Sequence, residues 1–94
     1  MAAIDITKPH THGKESARKA AEDIAGKMKE KLELEWAWSG DTINFEAKHG
    51  VAKGVKGTVE VTDTVIRVVV DLPFMLRPLK GMIEGKIQDG LSGV

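Results

Sequence analysis

The segment from Leu34 to Lys48 constrains the fold more than any other stretch of this chain. Leu34, Trp36 and Trp38 alternate with Glu35, Ala37 and Ser39; after a Gly40-Asp41 turn, Ile43, Phe45 and Ala47 alternate with Thr42, Asn44, Glu46 and Lys48. Period-two alternation marks a strand with one buried face. A two-residue loop at Gly40-Asp41 pairs Trp38 with Ile43, Trp36 with Phe45 and Leu34 with Ala47. Apolar meets apolar at every step, and a slip of one residue would turn a whole apolar set to water, so the pattern sets the register. Residues 55–72 pass the same test. A loop at Asp63-Thr64 pairs Val61 with Ile66, Val59 with Val68, Gly57 with Val70 and Val55 with Leu72, leaving Lys56, Thr58, Glu60, Thr62, Arg67 and Asp71 on a wet face. Between the two hairpins, a two-residue loop at His49-Gly50 would put the apolar faces on opposite sides. An odd-length loop, or a bulge near Gly54, is predicted there instead.

This four-strand meander is flanked by other periods. Residues 3–8 alternate as a strand, with Ile4 and Ile6 on one face, before Pro9 and Gly13 punctuate the chain. From Lys14 to about Glu33, Ala17, Ala20, Ala21, Ile24, Ala25, Met28 and Leu32 recur at helical spacing. After Leu72-Pro73, Leu76, Leu79, Ile83 and Ile87 form the stripe of a second helix ending near Leu91; Pro78 requires its regular part to begin close by. The predicted order is β-α-β-β-β-β-α. This is an α+β fold, an antiparallel twisted sheet with two helices on one face. The first strand is expected beside the last, leaving Leu34–Ser39 at the other edge.

Ninety-four residues are enough for one core and one domain, spanning 1–94. Fourteen Lys+Arg balance fourteen Asp+Glu, so no global charge steers the chain toward nucleic acid. Lys27, Lys29 and Lys31 project to different sides of their helix, with Glu30 and Glu33 among them. The absence of Cys removes disulfides and thiolate chemistry, which suits the cytoplasm. No secretory apolar run opens the chain and none approaches a membrane span, so a cytoplasmic location is expected.

Candidates for chemistry are sparse. His10 and His12 flank Thr11 and on an extended segment would point the same way, weak candidates for a metal with Asp5 or His49 as third ligand. An exposed polar loop before a helix is the competing reading. Ser16, Ser39 and Ser92 lie in no nucleophile turn, and Glu22, Asp23, Glu46, Glu60 and Asp71 fall on wet faces. Lys53-Gly54-Val55-Lys56-Gly57 lacks phosphate-loop spacing; Gly57 instead makes room for a helix opposite Val70. Gly81 and Gly85 have the spacing of a close-packing motif or simply weaken their helix. The register puts Trp36 and Trp38 beside Ile43 and Phe45, as core or as cavity wall.

The chain resembles a family of short bacterial proteins, the polyhydroxyalkanoic acid (polyhydroxyalkanoate) system or granule-region proteins. The likeness is carried by His10 near Gly13 before Lys14-Glu15-Ser16-Ala17-Arg18, and by Trp38-Ser39-Gly40-Asp41-Thr42-Ile43-Asn44-Phe45. Gly57-Thr58-Val59-Glu60-Val61 and Val68-Val69-Val70-Asp71-Leu72-Pro73 complete it. These motifs are turns, strand faces and a helix start, and the family brings no catalytic residues to carry over. The order of elements also resembles a shortened helix-grip domain, in which a curved sheet wraps a C-terminal helix; fold alone does not fix function.

The resemblance implies a non-enzymatic accessory protein that binds a polyester granule surface, a granule protein or an acyl ligand, without a cofactor. Phe74, Met75 and the last helix are its candidate apolar contact. The alternative is a small helix-grip-like carrier of a hydrophobic ligand, with a cavity lined by Trp36, Trp38, Phe45, Val59, Val68 and Ile83. An enzyme would need His10, His12 and Asp5 to converge in a cleft. A homodimer could form through the Leu34–Ser39 edge or the surface of Gly81 and Gly85.

Overall fold

The alternating segments build one antiparallel sheet. The computed structural model describes residues 3–11, 13–50 and 52–92. Its strands are β1 (Ile4–Pro9), β2 (Glu35–Ser39), β3 (Thr42–Glu46), β4 (Lys56–Val61) and β5 (Val65–Asp71), in the spatial order β1-β5-β4-β3-β2. Helix α1 (Gly13–Leu32) joins β1 to β2, and a 3-10 turn (Phe74–Leu79) leads into α2 (Lys80–Leu91). The α+β architecture and the order β-α-β-β-β-β-α are those read from the pattern, with the first strand beside the last.

The hairpin registers follow the rule that apolar faces apolar. Trp36 pairs with Phe45 and Trp38 with Ile43, while Val59 pairs with Val68 and Val61 with Ile66. Gly40, at φ 62°, takes the left-handed first position of the two-residue β2–β3 turn, where a side chain would be strained. The β3–β4 connection is of odd length. Ala47 N–H donates to the Val55 carbonyl at 2.8 Å and Gly54 N–H to the Ala47 carbonyl at 2.9 Å, so the pairing of β3 with β4 reaches Ala47 and Val55. Gly54, at φ 100°, turns the chain back beneath the Pro73 ring.

Both helices lie on one face of the sheet. Helix α1 covers β2, β3 and β4, whereas α2 lies against β1 and α1. Ala17, Ala21, Ile24, Ala25, Met28 and Leu32 of α1 are buried, as are Ile83, Ile87 and Leu91 of α2, against Ile43, Phe45, Val59, Ile66, Val68 and Val70 of the sheet. Pro78 sits in the 3-10 turn, and the regular helix starts two residues later. On β1, the inward Lys8 ammonium donates to the Leu91 carbonyl at 2.7 Å, placing a cation at the C-terminus of α2 where unpaired carbonyls gather.

Two expectations are corrected. Gly57 makes room for an aromatic ring of the neighbouring strand, not for a helix: a β-carbon there would meet the Phe45 ring and the backbone of Val69 and Val70. His10 is buried, 7% exposed, rather than part of an exposed loop. Its backbone N–H donates to the Thr64 carbonyl, extending the β1–β5 ladder by one residue and carrying the ring inward.

Candidate functional site

The motif segments around Lys14 and around Trp38 meet in space. Lys14 and Arg18, one turn apart on α1, both reach Asp41 in the β2–β3 turn; Arg18 Nη1 donates to Asp41 Oδ1 at 2.9 Å and to the Gly40 carbonyl at 3.2 Å. The Arg18 guanidinium also lies 3.9 Å from the centroid of the Trp38 ring, whose Nε1 donates to Glu22 at 3.2 Å. Two stretches far apart in sequence are thus one clamp between α1 and the tip of a hairpin. Gly40 provides the turn, Asp41 the acceptor and Trp38 the platform.

The clamp titrates. The Lys14 ammonium hydrogen-bonded to Asp41 holds that carboxyl below its ordinary value, and Arg67 does the same to Asp5 through a two-point contact at 3.0 and 2.8 Å. A carboxyl depressed in the folded state stabilises the fold above its unfolded value, about pH 4, and that contribution disappears as pH falls through the folded value. The partner shifts run the other way: Asp41 raises the Lys14 ammonium, whose contribution is complete below about pH 10.5 and is lost as pH rises beyond it. The melting temperature is therefore expected to be level between about pH 5 and 10 and to fall below about pH 4. Asp41→Asn should shrink the acid limb, and an unchanged acid limb in a thermal-melt series would contradict the assignment. All four side chains are about half exposed, so salt should weaken the effect.

The described metal candidates, His10, Asp5 and His49, lie apart. His10 Nε2 lies 2.9 Å from the Thr62 carbonyl, while its buried Nδ1 has no hydrogen-bond partner among the described residues. Asp5 is on the opposite, solvent face, occupied by Arg67. His49 belongs to the β3–β4 loop, at the other end of the sheet from the Thr62 contact of His10. His12 lies outside the described residues. Among the described residues no group of three or more His, Asp or Glu is placed to hold a metal ion.

Of the residues expected around an inner cavity, Phe45, Val59, Val68 and Ile83 are buried in the core, and Trp36 and Trp38 pack half-buried against it. Two grooves adjoin Trp36 and Phe45. One of about 420 Å³ is lined by Glu35, Trp36, Ala37, Asn44, Phe45, Glu46 and Lys48, and it adjoins one of about 260 Å³ extending to Lys56, Thr58 and Asp71. Both open on the uncovered face of the sheet, where Glu35 pairs with Lys48 at 3.6 Å and Arg67 with Asp5 and Glu60 at 2.8 and 3.9 Å.

The last feature is apolar. Phe74 and Met75 are 82% and 87% exposed on the 3-10 turn, while Leu76 and Leu79 of the same turn pack against the core. Hence the turn is anchored on one side and bare on the other. Arg77 stands 5.6 Å from the centroid of the Phe74 ring. Phe74 and Met75 are the apolar contact expected from the sequence; they are bare because Leu76 and Leu79 take the inward side of the 3-10 turn that contains Pro78.

Fold and surface together define a small open-faced α+β protein, with two helices on one side of its sheet and a polar face on the other. Residues 4–94 match the family model described as "Putative polyhydroxyalkanoic acid system protein". The chain belongs to this polyhydroxyalkanoic acid system family. No curated protein and no solved structure matches it. No helix among the described residues is long and apolar enough to cross a membrane.

Proposed function

We propose that this protein is a non-enzymatic accessory of the polyhydroxyalkanoic acid system that docks on the surface of the polyester granule through Phe74 and Met75. The observation that carries the reading is the exposure of these two large apolar side chains on an anchored turn, in a member of that family. Water-exposed Phe and Met are common singly, but adjacent and almost fully bare they are a contact surface awaiting an apolar partner. Burying both would contribute about 3–6 kcal/mol, equivalent to binding between several millimolar and tens of micromolar, reversible and tunable. Arg77 beside the ring keeps a charge at the waterline while the ring enters the apolar phase.

Cosedimentation with protein-free polyhydroxyalkanoate particles tests this. The chain should pellet with the particles, and Phe74→Ser combined with Met75→Ser should lower the bound fraction at least tenfold. Because neither side chain is in the core, the melting temperature should stay within about 2 °C of the parent. Equal binding by the double variant would sink the reading.

A further inference from the structure

The two edges of the sheet are not alike. β1 carries the inward Lys8, ends in Pro9 and is braced outside by the Asp5–Arg67 pair. Such devices discourage pairing with another strand. β2 is less defended: Glu35, Trp36, Ala37, Trp38 and Ser39 include no Lys and no Pro, and their one charge, Glu35, pairs outside with Lys48 at 3.6 Å. It is the terminal strand of the sheet.

The phase of the hydrogen bonding shows what that edge offers. The Asp41 carbonyl accepts from Val61 N–H, and Ala47 N–H donates to the Val55 carbonyl, so the odd positions along β3 face β4. The even positions 42, 44 and 46 therefore face β2, where their partners are Ser39, Ala37 and Glu35. Trp36 and Trp38 are left with backbone N–H and C=O groups directed away from the sheet, and with rings half-buried on the helix side at the same rim.

We propose that β2 pairs antiparallel with β2 of a second copy, about a two-fold axis through Ala37, to make a continuous ten-stranded sheet. In this register Trp36 lies opposite the partner's Trp38, and the reverse. All the edge-directed backbone groups of Trp36 and Trp38 in both strands are used, in four hydrogen bonds. Four indole rings line the helix-side seam, covering the apolar surface that each copy leaves half-exposed. Glu35 meets the partner's Ser39, so no like charges face each other. Ala37 meets the partner's Ala37 at the close, non-hydrogen-bonded spacing of about 4.5 Å, where only a small side chain sits easily on the axis. The strand complements itself, and a zero formal charge adds no repulsion between copies. Antiparallel pairing sends the two Phe74–Met75 turns to opposite ends, so the dimer is independent of the granule contact.

Sedimentation across a concentration series is the test. The parent should show a twofold rise in mass with concentration. Ala37→Glu and Ala37→Lys, each tested alone, should weaken self-association at least tenfold, because like charges then meet on the axis. Mixing the two variants should restore the twofold mass. In the parent, hydrogen exchange at the Trp36 and Trp38 amides should slow as concentration rises, a readout that requires no variant. A parent that stays monomeric at millimolar concentration, or a dimer indifferent to both Ala37 variants, would overturn the proposal. So would a dimer strengthened by Ala37→Lys, since that marks an axis through Trp36, with the introduced ammonium facing the partner's Glu35.

Discussion

Gly57→Val should destabilise this protein by about 3–5 kcal/mol, a large share of the 5–15 kcal/mol typical of a domain. Valine is the better strand former, so a position chosen only for lack of side chain should gain from it. Here a β-carbon would fall on the Val69 carbonyl oxygen and the Phe45 ring, with the Val70 α-carbon 3.0 Å away. Two of those three obstacles are backbone of β5, hydrogen-bonded to β4 and β1, and cannot retreat without opening the ladder. The third is a ring buried between sheet and helix. At about 4–8 °C per kcal/mol, the melting temperature should drop by more than about 12 °C. A loss below about 1 kcal/mol in thermal or urea denaturation would mean that Phe45 does not occupy the space over Gly57.

The glycines of α2 should respond with opposite signs. Gly90 is buried where α2 meets α1, and a β-carbon there would overlap the Ile24 side chain and come 3.4 Å from its α-carbon. Gly90→Ala should cost about 1–3 kcal/mol despite the gain in helix propensity. Gly85 is exposed, with nothing within 4 Å of the same point, so Gly85→Ala should stabilise by about 0.5–1 kcal/mol. Thermal melts of the two variants separate the helix-packing glycine from the idle one. Equal shifts in the same direction would contradict the placement of α2 against α1.

How much of this was legible in the chain depended on the range of the interaction. The strands and both outer hairpin registers could be read directly, because alternation is local and a two-residue turn ties each residue to a near neighbour; the place of β1 beside β5 followed only from the order of the elements. The odd-length β3–β4 loop was legible for the same reason: parity alone demanded it. Both helix stripes were legible too, since 3.6-residue spacing records a single buried face. Phe74 and Met75 stood out as apolar residues beyond the last strand. Their exposure, though, depends on Leu76 and Leu79 taking the inward side of the 3-10 turn.

What stayed hidden depends on which surface of one element lies over which residue of another. Alternation says that Gly57 faces inward, but not that the space above it belongs to Phe45. Spacing drew attention to Gly81 and Gly85, whereas the helices approach at Gly90, a choice made by the rotation of α2 against Ile24. His10 read as a loop residue because nothing local indicates that the ladder runs past Pro9 and buries its ring near Thr62. Lys14, Arg18 and Asp41 stood in separate motifs until the seating of α1 over β2–β4 brought a cation pair onto a turn. Local periodicity determined the elements and the hairpin pairings, because hydrogen-bond geometry and burial repeat along the chain with fixed periods. Only the packing of helices on the sheet decided where small residues, buried polar groups and ion pairs meet, because those contacts join positions that no period connects.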